Sequence, residues 1–332
     1  IRTEASGANG AGIKTMNGVD GVVSKVVVTG LVDIVADLNT GNNEALSAVA
    51  STIEVGGGNI QAINGAWAAI RAYGEFVSDN FGIVNVNVTK DKDGNIIAAG
   101  DNKTTIYGDF VTNGGMGTKG CISVGLNGED SYWIGNYADT RGYGVTQGME
   151  GQVSLFMKNG ANWTGFGDGQ MNVTMEGEGT TWNGFNLCDA EKFTGVDAFD
   201  QPFDYYAGGL NLILKDNATW INAFNVEQKD AKYSKEASLV NNFIGDGGFI
   251  DMTGRETFIA YNDASHAVGS NGTADKRQTS IQVIDGNAIT GNLVISNYSG
   301  DTTVIYRRDD KNVTEVLGGT TTIKSASEGS QI

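Results

Sequence analysis

Val153-Ser-Leu155-Phe-Met157, followed by Trp163 and Phe166, decides the fold because the same pattern keeps returning. Ile122-Ser-Val124-Gly-Leu126 leads to Trp133 and Tyr137, Val173-Thr-Met175 to Trp182 and Phe185, and Leu212-Ile-Leu214 to Trp220 and Phe224. A fifth copy, Ile250-Asp-Met252, leads to Phe258 and Tyr261, with the first aromatic changed from Trp. Apolar residues at alternate positions mark half-buried strands. Their recurrence marks stacked units, none of which buries a core alone. Trp163, Trp182 and Trp220 are spaced by 19 and then by 38 residues, which is twice 19, so the period is near 20.

Composition agrees with stacked strands. The 332 residues include 49 Gly and a single Pro. Glycine serves tight turns, and the near absence of proline leaves every backbone N–H available to a ladder. Hydrophobic residues make up 40% and charged ones 18%, so the chain has the means to build a core. A formal net charge of −17 argues against nucleic acid, which needs a basic footprint, and against anionic lipid and acidic substrates. Cys121 and Cys188 are 67 residues apart. At a period near 20 they would lie about 14 Å apart, beyond the reach of a disulfide, so unpaired thiols are expected. No apolar run approaches the roughly 18 residues of a membrane span, and Ile1-Arg-Thr-Glu does not read as a signal peptide. The chain reads as a fragment or mature piece entered mid-repeat.

Along the chain, Val22–Val28 and Leu31–Val35 read as strands, and Glu44–Ile53 as either a helical turn or a strand. Ile70-Arg-Ala-Tyr-Gly-Glu-Phe76 matches Ile106-Tyr-Gly-Asp-Phe110, which places the start of the repeat before the Trp series. Ile83–Val88 reads as a strand. Asp91-Lys-Asp93-Gly-Asn95 reads as a hairpin turn and not a Ca²⁺ loop, since the later bidentate Glu is missing. Three stretches break the rhythm as insertions: 187–209, 226–240 and 262–280. The expected fold is all-β: one right-handed parallel β-helix (β-solenoid) over 1–332 with lateral loop insertions, residues 1–60 being unassigned. Trp133, Trp163, Trp182, Trp220 and Phe258 would form an inward aromatic column, and turn asparagines would form ladders. Roughly 15 turns would give a rod some 70 Å long. A β-sandwich is the structural rival.

Ile289-Thr-Gly-Asn-Leu-Val-Ile-Ser-Asn-Tyr-Ser-Gly-Asp-Thr-Thr-Val-Ile-Tyr306 and Gly318-Gly-Thr-Thr-Thr-Ile-Lys-Ser-Ala-Ser-Glu-Gly-Ser330 resemble the passenger region of bacterial autotransporters. Leu214-Lys-Asp-Asn-Ala-Thr-Trp220 and Lys158-Asn-Gly-Ala-Asn-Trp163 look like the same family's rungs. The resemblance covers roughly 160–332 and rests on stacking motifs, not on chemistry. It implies a right-handed β-helix at the extracellular surface of a Gram-negative-type bacterium. There a C-terminal barrel, which this sequence does not contain, would hold it.

Chemistry is sparse. His266 is the only histidine, and no serine stands in a Gly-Asp-Ser-Gly context, so nothing in the spacing requires a triad. Gly245-Asp-Gly-Gly248 and Gly165-Phe-Gly-Asp-Gly169 read as turns and not phosphate cradles. No metal or cofactor is implied. Eight Asn-x-Ser/Thr sites, Asn87 and Asn217 among them, are no more than an Asn/Thr-rich composition supplies. The acidic insertion 187–209 carries Asp197, Asp200, Asp204, Tyr205 and Tyr206, whose carboxylates and rings suit a sugar or protein contact. The expected function is a non-catalytic surface adhesin, with a host or bacterial surface glycan or protein as partner. The alternatives are a polysaccharide-degrading β-helix enzyme, which would place two of these carboxylates in one groove, and a self-associating filament or surface-layer protein.

Overall fold

The computed structural model describes residues 2–5, 10–17, 23–37, 43–64, 66–74, 80–112, 120–138, 151–186, 191–196, 202–207, 209–222, 238–251, 257–258, 282–283, 293–308 and 311–317. The chain is all-β, with thirty strands and no helix among these residues. Eighteen strands belong to one large sheet and six to a second.

The pairing shows how the chain is laid down. One column of parallel strands runs Lys25–Val28, Thr52–Val55, Gly82–Val86, Gly120–Asn127, Gln152–Lys158, Gln170–Glu176 and Leu210–Lys215. It continues into the leading parts of Ser238–Asp251 and Leu293–Arg308. A second column of the same sheet runs Arg2–Ala5, Val32–Asp37, Gly58–Ile63, Thr104–Tyr107, Tyr132–Ile134, Asn162–Thr164, Thr181–Gly184 and Thr219–Asn222. It too ends on the two long strands, now on their trailing parts. The six-stranded sheet is a third column: Ala11–Met16, Glu44–Val49, Ala68–Tyr73, Phe110–Val111, Tyr137–Ala138 and Gly167–Asp168. Each pass of the chain adds one row to the columns. The strands before residue 60 join the same two sheets, and Glu44–Val49 is a strand.

The core follows from the period of two. In Gln152–Lys158, Val153, Leu155 and Met157 are buried, and the residues between them are half-buried. Ile122, Val153, Met171 and Leu210 stand in register, as do Val124, Leu155, Val173 and Leu212. Beside these aliphatic columns, Trp133, Trp163, Trp182 and Trp220 are fully buried and in register. Their rings stack nearly parallel at 4.7, 4.4 and 4.9 Å, and Phe110 lies 3.8 Å below Trp133. Each such pair adds about 0.5–1.5 kcal/mol to the burial of its rings.

Register corrects several expectations. Trp182 and Trp220 are neighbours, so the interval of 38 residues is one row and not two. The surplus leaves the column sideways, where Glu191–Val196 and Pro202–Ala207 pair as an antiparallel hairpin. Ile250, not Phe258, continues the Trp column. Phe258 lies on the short strand Thr257–Phe258, antiparallel to Gln282–Val283. Ile70 stands beside Phe110, and Ile106 beside Ile60, so the similar runs at 70 and 106 are offset. The stretch expected as an insertion to residue 240 yields to a strand at Ser238, and 226–237 lie outside the described residues, as does all of 262–280, His266 included. Among the described residues nine rows stand in the first column, about 40 Å of stacking. On the last row, Lys311–Leu317 pairs antiparallel with Thr302–Arg308.

Ile83–Val88 is not one strand. Asn87 turns into the left-handed region at φ 48°, a conformation asparagine tolerates, and Val88–Lys90 then leaves to pair with Ile96–Ala99. The Asn87 amide closes the hairpin's base: Nδ2 donates to the Asn102 and Gly125 carbonyls at 2.6 and 3.1 Å, and Oδ1 accepts from the Asn102 N–H at 3.2 Å. Gly125 lies under this base, where a Cβ would overlap the Asn87 carbonyl. Asn87→Ala is expected to cost about 2 kcal/mol and to speed amide exchange across 88–99 ahead of the columns. Unchanged protection there would show that the amide does not hold the hairpin.

Candidate functional site

A concavity on the described surface adjoins Gly58, the last of Gly56-Gly57-Gly58, the only run of three glycines in the chain. Gly57 and Gly58 have φ of 115° and 117°, which suits glycine alone. Close packing demands the same. A Cβ on Gly58 would overlap the Val32 carbonyl, and one on Gly57 would meet Thr104 Oγ1 at 2.9 Å. A recess of about 420 Å³ adjoins this corner, lined by Leu31, Val32, Asp33, Gly58, Asn59, Lys103 and Thr105. Leu31 is 55% exposed and forms an apolar wall.

A polar ladder crosses the recess. Asp33, Asn59 and Thr105 occupy the same position of three adjacent rows. Asn59 Nδ2 donates to Asp33 Oδ1 at 2.9 Å, and Thr105 Oγ1 donates to Asn59 Oδ1 at 3.1 Å. Gln61 Nε2 also donates to Asn59 Oδ1, at 2.9 Å. The Lys103 ammonium stands 3.6 Å from Asp130, with both side chains largely exposed. Such a pair is weak, so the ammonium can still donate elsewhere.

Similar ladders cover the outside of the first column. Asn211 donates to Asn172 at 2.8 Å, Asn242 to Asn211 at 2.6 Å, and Asn297 to Asn242 at 3.1 Å. These asparagines sit at outward strand positions, whereas ladders were expected at turns. A turn ladder exists as well, with Asn159 donating to Asn127 at 2.8 Å. Both forms satisfy amides between rows.

Two charge clusters elsewhere are internally paired. Arg71 donates to the buried Glu44 at 2.8 Å and lies over Trp67 and Tyr73 at 3.9 and 4.2 Å, a charge-neutral, packed arrangement. Glu54 accepts from Lys90 and pairs with Lys25 at 3.0 Å. Burial opposes ionisation of Glu54, but the hydrogen bonds and charges of Lys90 and then Lys25 outweigh it, leaving its carboxyl below its ordinary 4.5. A carboxyl depressed in the folded state stabilises the protein above its ordinary value. That contribution is lost as pH falls through the depressed one. Glu54→Gln is therefore expected to flatten the stability–pH curve below about pH 4.5, measured by urea titration. An unchanged slope would show that the lysines do not hold the carboxylate. The Asp91 turn forms as expected: Asn95 donates to Asp91 through its side chain at 3.0 Å and its backbone at 2.8 Å, which lowers the Asp91 carboxyl.

Of the residues expected to make contacts, Asp204, Tyr205 and Tyr206 lie on the lateral strand Pro202–Ala207, opposite Thr194, Phe193 and Lys192. Asp197 and Asp200 lie outside the described residues, as does Cys188, while Cys121 is half-buried on Gly120–Asn127. Sequence reading missed the recess. Its visible signal was the triple glycine between the Thr52–Val55 strand and Asn59, a run too costly in entropy to persist without a close approach. A second missed signal is Trp-x-Gly, at Trp133-Ile-Gly135, Trp163-Thr-Gly165 and Trp182-Asn-Gly184. Among known proteins, no family model matches the chain, and no curated protein or solved structure is similar to it.

Proposed function

We propose that the chain is a right-handed parallel β-helix acting as a non-catalytic, surface-exposed adhesive passenger of the autotransporter kind. It works outside a Gram-negative-type cell and presents its lateral segments and outward ladders to a glycan or a protein. One observation supports this reading: two antiparallel strand pairs interrupt the chain without interrupting the parallel columns. The hairpins Val88–Ala99 and Glu191–Ala207 leave the columns sideways, while the rows on either side of each stay in register. A scaffold of that kind holds its shape whatever its side segments bind, which suits display more than it suits a fixed catalytic constellation. Outward Asn, Thr and Asp side chains at row spacing offer repeated hydrogen-bond partners to a hydroxyl-rich surface.

The test is binding of the purified chain to an array of immobilised glycans and to cells, with release of reducing sugar and unsaturated product followed on every hit. Binding without turnover is the expected result. Turnover on any bound glycan would replace this reading with that of a polysaccharide-degrading enzyme.

A further inference from the structure

We propose that the recess at Gly56-Gly57-Gly58 binds a single neutral, hydroxyl-rich sugar ring. The inference rests on the adhesive reading above and assigns it a site and a ligand class.

Size comes first. The recess, at about 420 Å³, falls within the roughly 300–1,000 Å³ of small-molecule sites. Its lining lies on or next to the paired strands Val32–Asp37, Gly58–Ile63 and Thr104–Tyr107, whose rows are packed too closely for a Cβ at Gly58. The cavity is therefore set by the scaffold and not by the position of a loop.

Its walls divide as a pyranose does. Leu31, 55% exposed, gives with the bare Gly58 backbone an apolar side suited to the C–H face of a sugar, while the Val32 side chain belongs to the core. Beside Leu31 stands the ladder, which starts at Asp33, two residues further along the chain. Asn59 Oδ1 already accepts from Gln61 and Thr105, while its amide donates one hydrogen to Asp33 and retains the second. Thr105 spends its hydrogen on Asn59 and keeps its oxygen as an acceptor. The Asp33 carboxylate has two oxygens and accepts only. Lys103 donates only. The recess thus offers an acceptor at Thr105 and donors at Asn59 and Lys103, beside the charged Asp33. A sugar hydroxyl answers both, since it donates and accepts at once.

Charge narrows the class. An acidic ligand would meet Asp33 and a protein of net charge −17, and a cationic one would meet Lys103. A neutral ring meets neither penalty.

The experiment is saturation-transfer NMR on the full chain. The probes are methyl β-galactoside, methyl β-glucoside and methyl α-mannoside, with sodium glucuronate as the acidic comparator and leucine as the zwitterionic one. Transfer to at least one neutral glycoside is expected, strongest at the ring C–H protons. Leu31→Ala, at an exposed position, and Asp33→Asn are each expected to weaken it at least tenfold at an unchanged melting temperature. Transfer only to glucuronate or leucine would overturn the proposal. So would transfer to none of the five, or neutral binding unaltered in both variants. The two readings separate cleanly. If the native chain adheres to glycan surfaces and Leu31→Ala adheres equally, the recess is not the site and the adhesive reading stands. If the native chain adheres to nothing while the recess takes a glycoside, the adhesive reading falls and the recess stands.

Discussion

Trp182→Ala is expected to destabilise the protein by about 4 kcal/mol, read as a lowered urea midpoint. The indole is fully buried, and its loss leaves a cavity that strand-paired neighbours have little freedom to fill. Two stacked contacts disappear with it, to Trp163 at 4.4 Å and Trp220 at 4.9 Å. So does the hydrogen bond from its Nε1 to the Gly165 carbonyl at 3.0 Å. Trp182→Phe separates these contributions. A phenyl ring preserves most of the stack but leaves the buried carbonyl without its donor, at a cost of about 1–2 kcal/mol. A loss below about 1 kcal/mol for Trp182→Ala would mean that the aliphatic columns alone hold the rows.

Gly165→Ala is expected to cost about 3 kcal/mol or more, although it adds only a methyl group. The cause is the ladder that accompanies the indoles. Trp133, Trp163, Trp182 and Trp220 donate to the carbonyls of Gly108, Gly135, Gly165 and Gly184 at 2.9–3.0 Å. In the last three cases the acceptor is the glycine two residues after the tryptophan of the row below. Each glycine lies so close to the next that a Cβ on Gly165 would overlap the Gly135 carbonyl and stand 2.8 Å from Trp163 Nε1. Accommodating it parts two rows and breaks the indole bond together. Gly94→Ala is the matched control. Gly94 sits at the hairpin tip with φ 87° and nothing within 4 Å, so only the left-handed backbone penalty applies, about 1 kcal/mol. Equal losses at the two positions would rule out close approach as the reason for Trp-x-Gly.

The columns were legible because their signal is local. Alternation with a period of two separates inward from outward positions within one strand, and a tryptophan at a constant offset marks each row. Val153, Leu155, Met157 and Trp163 could be assigned to the core without knowing their neighbours. The neighbours themselves were not legible. From Trp182 to Trp220, 38 residues look like two periods of 19, and only pairing shows one row carrying a lateral hairpin. The aromatic expected at Phe258 failed similarly: the aliphatic Ile250 had already taken the next place in the column, and aliphatic residues mark both kinds of column.

The candidate site was less legible still. Leu31, Gly58 and Lys103 belong to three successive rows, and the lengths of the intervening passes, not any motif, bring them together. By itself the amino-acid sequence determined that the chain is all-β, which residues face inward, and that tryptophans align, because side-chain alternation is a property of each strand alone. Only the tertiary structure decided which row lies on which, that glycines serve as the acceptors of an indole ladder, and where the surface recedes. Those depend on backbones approaching across tens of residues, and a hydrogen-bonded ladder records its register in the partner strand and not in the strand itself.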